Sequence, residues 1–187
     1  MAAGRLSVLQ TDGFGMATPL HRWVRPTVDL DRTDAVLALL VVVAVNAIGA
    51  APAILGGPNS EWFASLEKPA LFPPTWAFGV AWTLLFSLMG VAVYLVARNG
   101  LDRGSVRLAL GLFGLQFAFN VAWTPVFFTL ERPLAALGVI VVLDFLVTLT
   151  IFAFARIERV AATLLVPYLL WALFATVLNY QFWALNA

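Results

Sequence analysis

Long apolar runs alternate along the chain with short connectors that are polar or rich in Gly and Pro. The first run, residues 35–55, carries no charge and one strong polar group, Asn46. At about 1.5 Å per helical residue a run of this length reaches roughly 31 Å, the thickness of a hydrocarbon core. The same pattern marks 74–97, 108–130, 134–154 and 161–185, each bounded by charges or turn residues. Lipid offers no partner to a free backbone N–H or C=O, and runs this long exceed any barrel strand. The pattern predicts an all-α fold, an integral membrane bundle of five transmembrane helices filling residues 33–187 as one unit. Residues 1–32 contain no apolar run of signal-peptide length, and their Gly, Thr, Asp and Arg content reads as a mobile arm.

The connector at 56–73 stands apart from the others, since only Glu131, Arg132 and Pro133 separate the third and fourth runs. Ser60 is placed to cap a short helix from Glu61 to about Leu66, Glu61 sits near the positive dipole end, and Pro69 forbids extension. Pro73 and Pro74 then suit the first turn of the second span. Long ordered loops tend to carry function, so this one is expected to form a structured lid over the bundle.

Composition sharpens the assignment: 62% of the 187 residues are apolar and only 11% are charged, well outside the range of chains whose surface meets water. Net charge is +1, which leaves no basic field for nucleic acid. Nine of the 11 Lys and Arg fall on one side of the predicted bundle: Arg5, Arg22, Arg25, Arg32, Arg98, Arg103, Arg107, Arg156 and Arg159. Lys68 and Arg132 fall on the other, so the bias puts the N-terminus in the cytoplasm and the C-terminus outside, with the cell membrane as the expected location. The chain has no cysteine and one histidine, His21, in the N-terminal arm, which excludes thiol chemistry and haem ligation by a His or Cys within a span. No resident cofactor or metal is expected.

Asp144 is the one acidic residue inside a span, where a charge costs about 2.5–3.5 kcal/mol on insertion scales. It reads either as a functional group facing the interior or another subunit, or as a neutral carboxyl hydrogen-bonded between helices. In span three, Gln116, Asn120, Trp123 and Phe127 recur at helical spacing. Span five repeats the idea with Tyr168, Trp171, Ala175, Asn179 and Phe182. With Trp76 and Trp82 of span two, these stripes describe either plain helix packing or a cavity lined by aromatics and a few amides, and together they favour the cavity. Pro52, Pro125 and Pro167 release the carbonyls of Ile48, Val121 and Thr163 within spans; either these carbonyls serve a ligand or the prolines only bend the helices, and the bend ranks first.

The ordered set Trp62-Phe63, Leu66-Glu67-Lys68-Pro69, Pro73-Pro74-Thr75-Trp76, Trp82, Asn120 to Phe128, Pro167-Tyr168, Trp171 and Leu178-Asn179-Tyr180 resembles the TspO/MBR family of tryptophan-rich sensory proteins and translocator proteins, over about residues 36–186. The resemblance implies a five-helix bundle, commonly a homodimer, with a cavity beneath the first loop that binds porphyrins such as protoporphyrin IX and, in some members, sterols or isoquinoline drugs; a sterol or other lipid is the alternative ligand here. Carried over by position, it implies Trp76, Trp82, Asn120, Trp123, Phe127, Trp171 and Asn179 as cavity residues and Trp62 and Lys68 in the lid. Two positions depart from the family pattern: Leu71 stands where many members have an aromatic residue, and no basic residue follows Tyr180 to complete a proposed sterol motif.

Three readings follow: a membrane receptor or carrier for a flat amphipathic ligand such as a tetrapyrrole, an enzyme that degrades porphyrin in light, and a structural or regulatory membrane subunit. The first ranks highest. The residues supply no evident metal site, activated nucleophile or acid–base pair, so any photochemistry would belong to the ligand, with a nearby Trp or Tyr as electron donor.

Overall fold

The computed structural model describes residues 31–187 apart from Pro58. The expectation of a mobile arm therefore lies outside the described residues except at its last two positions, which start the first helix. Asp31 caps α1 (Arg32–Gly56) by accepting from the Arg32 amide at 2.6 Å. A short α2 (Glu61–Ser65) follows in the connector, then α3 (Thr75–Ala97) and α4 (Gly104–Thr124). A π-helical turn over Pro125–Thr129 leads to α5 (Pro133–Ala155), α6 (Arg159–Leu164) and α7 (Val166–Asn186). Among the described residues, five helical stretches are long and apolar enough to cross a membrane, with α4 plus the π turn forming the third and α6 plus α7 the fifth.

The prolines explain the irregularities. Pro125 has no N–H to return to the Val121 carbonyl, and the chain widens into the π turn, closed by the Leu130 amide on the Pro125 carbonyl at 2.8 Å. Glu131, at φ 55°, then takes the left-handed conformation that reverses the chain into Pro133, the first residue of α5. The fifth span, expected as one helix over 161–185, is broken at Leu165. Pro167 cannot bond back to Thr163, and the Leu165 amide instead bonds the Ala162 carbonyl at 3.1 Å.

α1 packs mainly on α3, α4 on α5, and α5 on α7. α3 meets the fifth span chiefly through α6 and touches α7 only briefly, so the two helices part toward the α2 end. Buried side chains accordingly form two layers. At the end carrying Arg98, Arg103 and Arg156, a dense core gathers Met89, Ala92 and Val96 of α3, Val106 and Ala109 of α4, Phe154 of α5, and Ala161 and Leu165 of the fifth span. At the opposite end Phe63, Phe127, Ala136 and Phe182 form a smaller cluster under the connector. Space remains between the two layers.

Candidate functional site

The lid is built locally. Ser60 accepts from the Phe63 amide at 3.2 Å and Glu61 occupies the first turn of α2, as the sequence predicts, although α2 stops at Ser65 rather than Leu66. Lys68 closes the other end: its ammonium donates to the carbonyls of Phe63 and Leu66 and lies 4.1 Å from the Phe63 ring centroid. A cation on the last carbonyls of a helix opposes the dipole. Partial desolvation pulls the Lys68 pKa below the ordinary lysine value. The connector is then stapled to the C-terminus, where Asn186 accepts from the Glu67 amide at 2.8 Å and donates to the Glu67 carbonyl at 3.1 Å.

Beneath the lid is a cavity of about 430 Å³, within the roughly 300–1,000 Å³ usual for small-molecule sites. Its walls come from all five of these spans and the lid: Gly49 and Ala53 from α1, Trp82 and Phe86 from α3, Asn120 and Trp123 from α4, Leu143 from α5, and Trp171 and Asn179 from α7. Six of the nine residues singled out from the sequence lie on this wall, namely Trp82, Asn120, Trp123, Phe127, Trp171 and Asn179. The other three do not line it. Trp62 belongs to the lid helix and packs edge-on against Phe127 at 5.9 Å, and Lys68 is the α2 cap just described. Trp76 is 70% exposed on the outside of α3.

The sequence reading passed over Phe63, Phe72, Phe78 and Phe86, which also line the cavity. Phe78, Trp82 and Phe86 recur every four residues along α3, and that spacing was the available signal.

Polar groups around the cavity are mostly committed. Asn179, 1% exposed, accepts from the Trp123 indole N–H at 2.9 Å and donates to the Pro133 carbonyl at 2.8 Å, so its amide positions a wall residue rather than facing a ligand. Asn120 donates to the Tyr168 hydroxyl at 3.0 Å, and that hydroxyl donates to Gln116 at 3.0 Å. Tyr168 and Gln116 thus form a buried support behind the wall, not part of it. The Trp171 indole N–H is buried on the wall side of α7 with no acceptor among the described residues. Asp144 stands away from the cavity lining and accepts from the Thr176 hydroxyl at 2.7 Å, joining α5 to α7.

Five membrane-spanning helices enclosing an aromatic, amide-bearing cavity under an ordered loop define an integral membrane protein with an internal small-molecule-sized site. The chain belongs to the TspO/MBR family, whose model matches residues 37–184. It is 41% identical over 129 residues to the tryptophan-rich protein TspO of Chlorobaculum tepidum, covering 69% of this chain and 82% of the relative. It is 43% identical over 138 residues to the tryptophan-rich sensory protein of Cereibacter sphaeroides, covering 73% and 85%. It is also 38% identical over 132 residues to the human translocator protein, covering 70% and 78%.

Proposed function

We propose that the protein is a membrane receptor or carrier that holds a flat amphipathic ligand, a tetrapyrrole of the protoporphyrin IX kind, in the cavity beneath the lid. The observation that carries this reading is the wall itself: three indoles, Trp82, Trp123 and Trp171, face one cavity whose few polar groups are largely spent on one another. Broad aromatic faces suit a planar ring, and the unpaired Trp171 N–H suits one acceptor on its edge. The names of the relatives, a sensory protein and a translocator, agree with a receptor or transport role. Trp82, Asn120, Trp123, Phe127, Trp171 and Asn179 form the proposed site, with Trp62 and Lys68 holding its lid.

The arginine-bearing end is assigned to the cytoplasm and the lid to the outside of the cell membrane. A homodimer is part of the proposal, supported by the groove of small residues that α1 and α4 present on the bundle surface, Ala47, Ala51, Ala118 and Ala122 among them.

The test is a titration of the detergent-purified protein with protoporphyrin IX in the dark, read by tryptophan fluorescence. Saturable quenching is expected, weakened about tenfold by Trp171→Ala, since a lost stacking face and donor together are worth roughly 1–2 kcal/mol. Quenching without saturation, or affinity unmoved by both Trp82→Ala and Trp171→Ala, would sink this assignment. Bleaching of the bound porphyrin under light, faster than in empty detergent, would favour the degrading enzyme.

A further inference from the structure

We propose that the cavity is loaded sideways from the bilayer, through a mouth between the lid-side halves of α1 and α3, so that its ligands are molecules dissolved in the membrane rather than in water. This rests on the reading of the cavity as a ligand site. It adds the route and the solubility class that the route imposes.

The two helices are wedge-shaped in their contact. Near the basic end they touch closely: a Cβ built on Gly90 would lie 2.6 Å from Val42 Cα, and one on Gly49 would lie 2.5 Å from the Phe86 ring. Asn46 ties them there by donating to Ser87 Oγ at 3.2 Å. Two turns closer to the lid the contact has gone, and a Cβ on Gly79 would meet nothing within 4 Å. The cavity reaches the surface through this gap. Ala53 and Ile54 of α1 and Thr75, Gly79 and Thr83 of α3 are on its wall and exposed at the same time, Ile54 by 81%. Residues with both properties are the rim of an opening.

The sequence explains why α1 stands off. Val45 is its one buried apolar residue among those described, so little apolar packing holds its lid-side half against α3. That half leans instead on the π turn, where the Thr129 hydroxyl donates to the Gly56 carbonyl at 3.4 Å and a Cβ on Gly56 would come within 2.7 Å of the same oxygen. Pro52, between the two contacts, removes the α1 backbone bond to the Ile48 carbonyl and leaves the helix free to lean.

The rim is also compatible with hydrocarbon. Thr83 spends its hydroxyl proton on the Gly79 carbonyl at 2.8 Å, and Ser87 spends its own on the Thr83 carbonyl at 2.7 Å, so neither faces lipid as an unmet donor. The lid end is shut by comparison. Phe63, Phe127 and Phe182 are each less than 7% exposed beneath α2, and the Glu67–Asn186 pair of hydrogen bonds pins the connector over them. Entry past α2 requires breaking that layer; of the exposed wall residues only Asn59 lies in the connector, whereas five lie along the gap between α1 and α3. Ligands are accordingly flat, largely apolar and bilayer-soluble, and the same ring bearing many carboxylates is excluded.

The experiment uses the full chain in phosphatidylcholine vesicles preloaded with protoporphyrin IX, following tryptophan quenching by stopped flow. Gly79→Leu, whose side chain grows into open space, is expected to slow association about tenfold or more, because the approach is obstructed. Association at the wild-type rate would overturn the lateral route. If the wild type itself gives no saturable quenching, it is the ligand-site reading that has failed, and the mouth is then judged by a second measurement. The chain has no cysteine, so Gly79→Cys accepts a single bimane label. Quenching of that label by nitroxide-bearing acyl chains, and not by aqueous iodide, is the expected result. The reverse would overturn the proposal.

Discussion

Phe127→Ala is expected to destabilise the folded protein by about 3–5 kcal/mol and to release the lid before the rest of the bundle unfolds. The ring is 2% exposed and sits on the π turn, where it meets elements that are otherwise far apart in sequence. Its neighbours are Trp62 at 5.9 Å and Phe63 at 6.3 Å from the lid, Trp123 at 5.3 Å from α4, Phe128 at 4.8 Å, and Phe182 at 5.7 Å from α7. Aromatic pairs add roughly 0.5–1.5 kcal/mol each beyond area burial, so five such neighbours make this ring the joint between lid and bundle. Thermal unfolding in detergent measures the loss, and hydrogen exchange locates it. Exchange should accelerate first at the amides of Phe63 and Glu67, which the Ser60 cap and Asn186 hold in the native lid. Uniform acceleration across all five spans, with no early loss in the lid, would mean that Lys68 and Asn186 hold the loop without the aromatic joint.

The spans were legible because hydrocarbon leaves the backbone few alternatives: an uncharged run of sufficient length has to be helical, and its ends are marked by charge and proline. How a proline is accommodated was not legible. Pro52 stays inside α1, Pro125 widens its helix into a π turn and Pro167 splits α6 from α7, and the difference comes from what packs beside each.

The cavity wall was partly legible for a related reason. Helical spacing put Asn120, Trp123 and Phe127 on one face of the third span and Trp171 and Asn179 on one face of the fifth, and each lines the cavity. Trp76 and Trp82 stand six residues apart, about 120° from each other around a helix, so one of the two had to leave the wall. The wall stripe of α3 is Phe78, Trp82 and Phe86, and Trp76 faces outward. Contributions from α1 had no aromatic or polar signature beyond Asn46, because Gly49, Ala50 and Ala53 read the same whether they pack on a neighbour or edge a void. The partner of Asp144 was equally hidden, since Thr176 lies on another span and only the fold brings them together.

Asn179→Leu is the substitution that separates scaffold from ligand contact. The side chain is 1% exposed and holds two other spans: the Trp123 indole of α4 at 2.9 Å and the Pro133 carbonyl at the start of α5 at 2.8 Å. Hydrogen bonds between membrane spans measure about 0.6 kcal/mol on average with a ceiling near 1.7, so losing both puts the cost at about 1–3 kcal/mol. Leucine conserves the volume, which keeps a cavity term out of that figure. The Trp123 ring, stacked on Phe127 at 5.3 Å, then loses the acceptor that fixes its rotation on the cavity wall. Protoporphyrin affinity should therefore fall even though both polar atoms of the amide are already engaged within the protein. A double-mutant cycle with Trp123→Phe decides the point, because phenylalanine removes the N–H and keeps an aromatic face. Coupling of about 0.6–1.7 kcal/mol in stability is expected, together with affinity losses that fail to add. Additive losses in both quantities would mean that Asn179 acts on the cavity by a path other than Trp123.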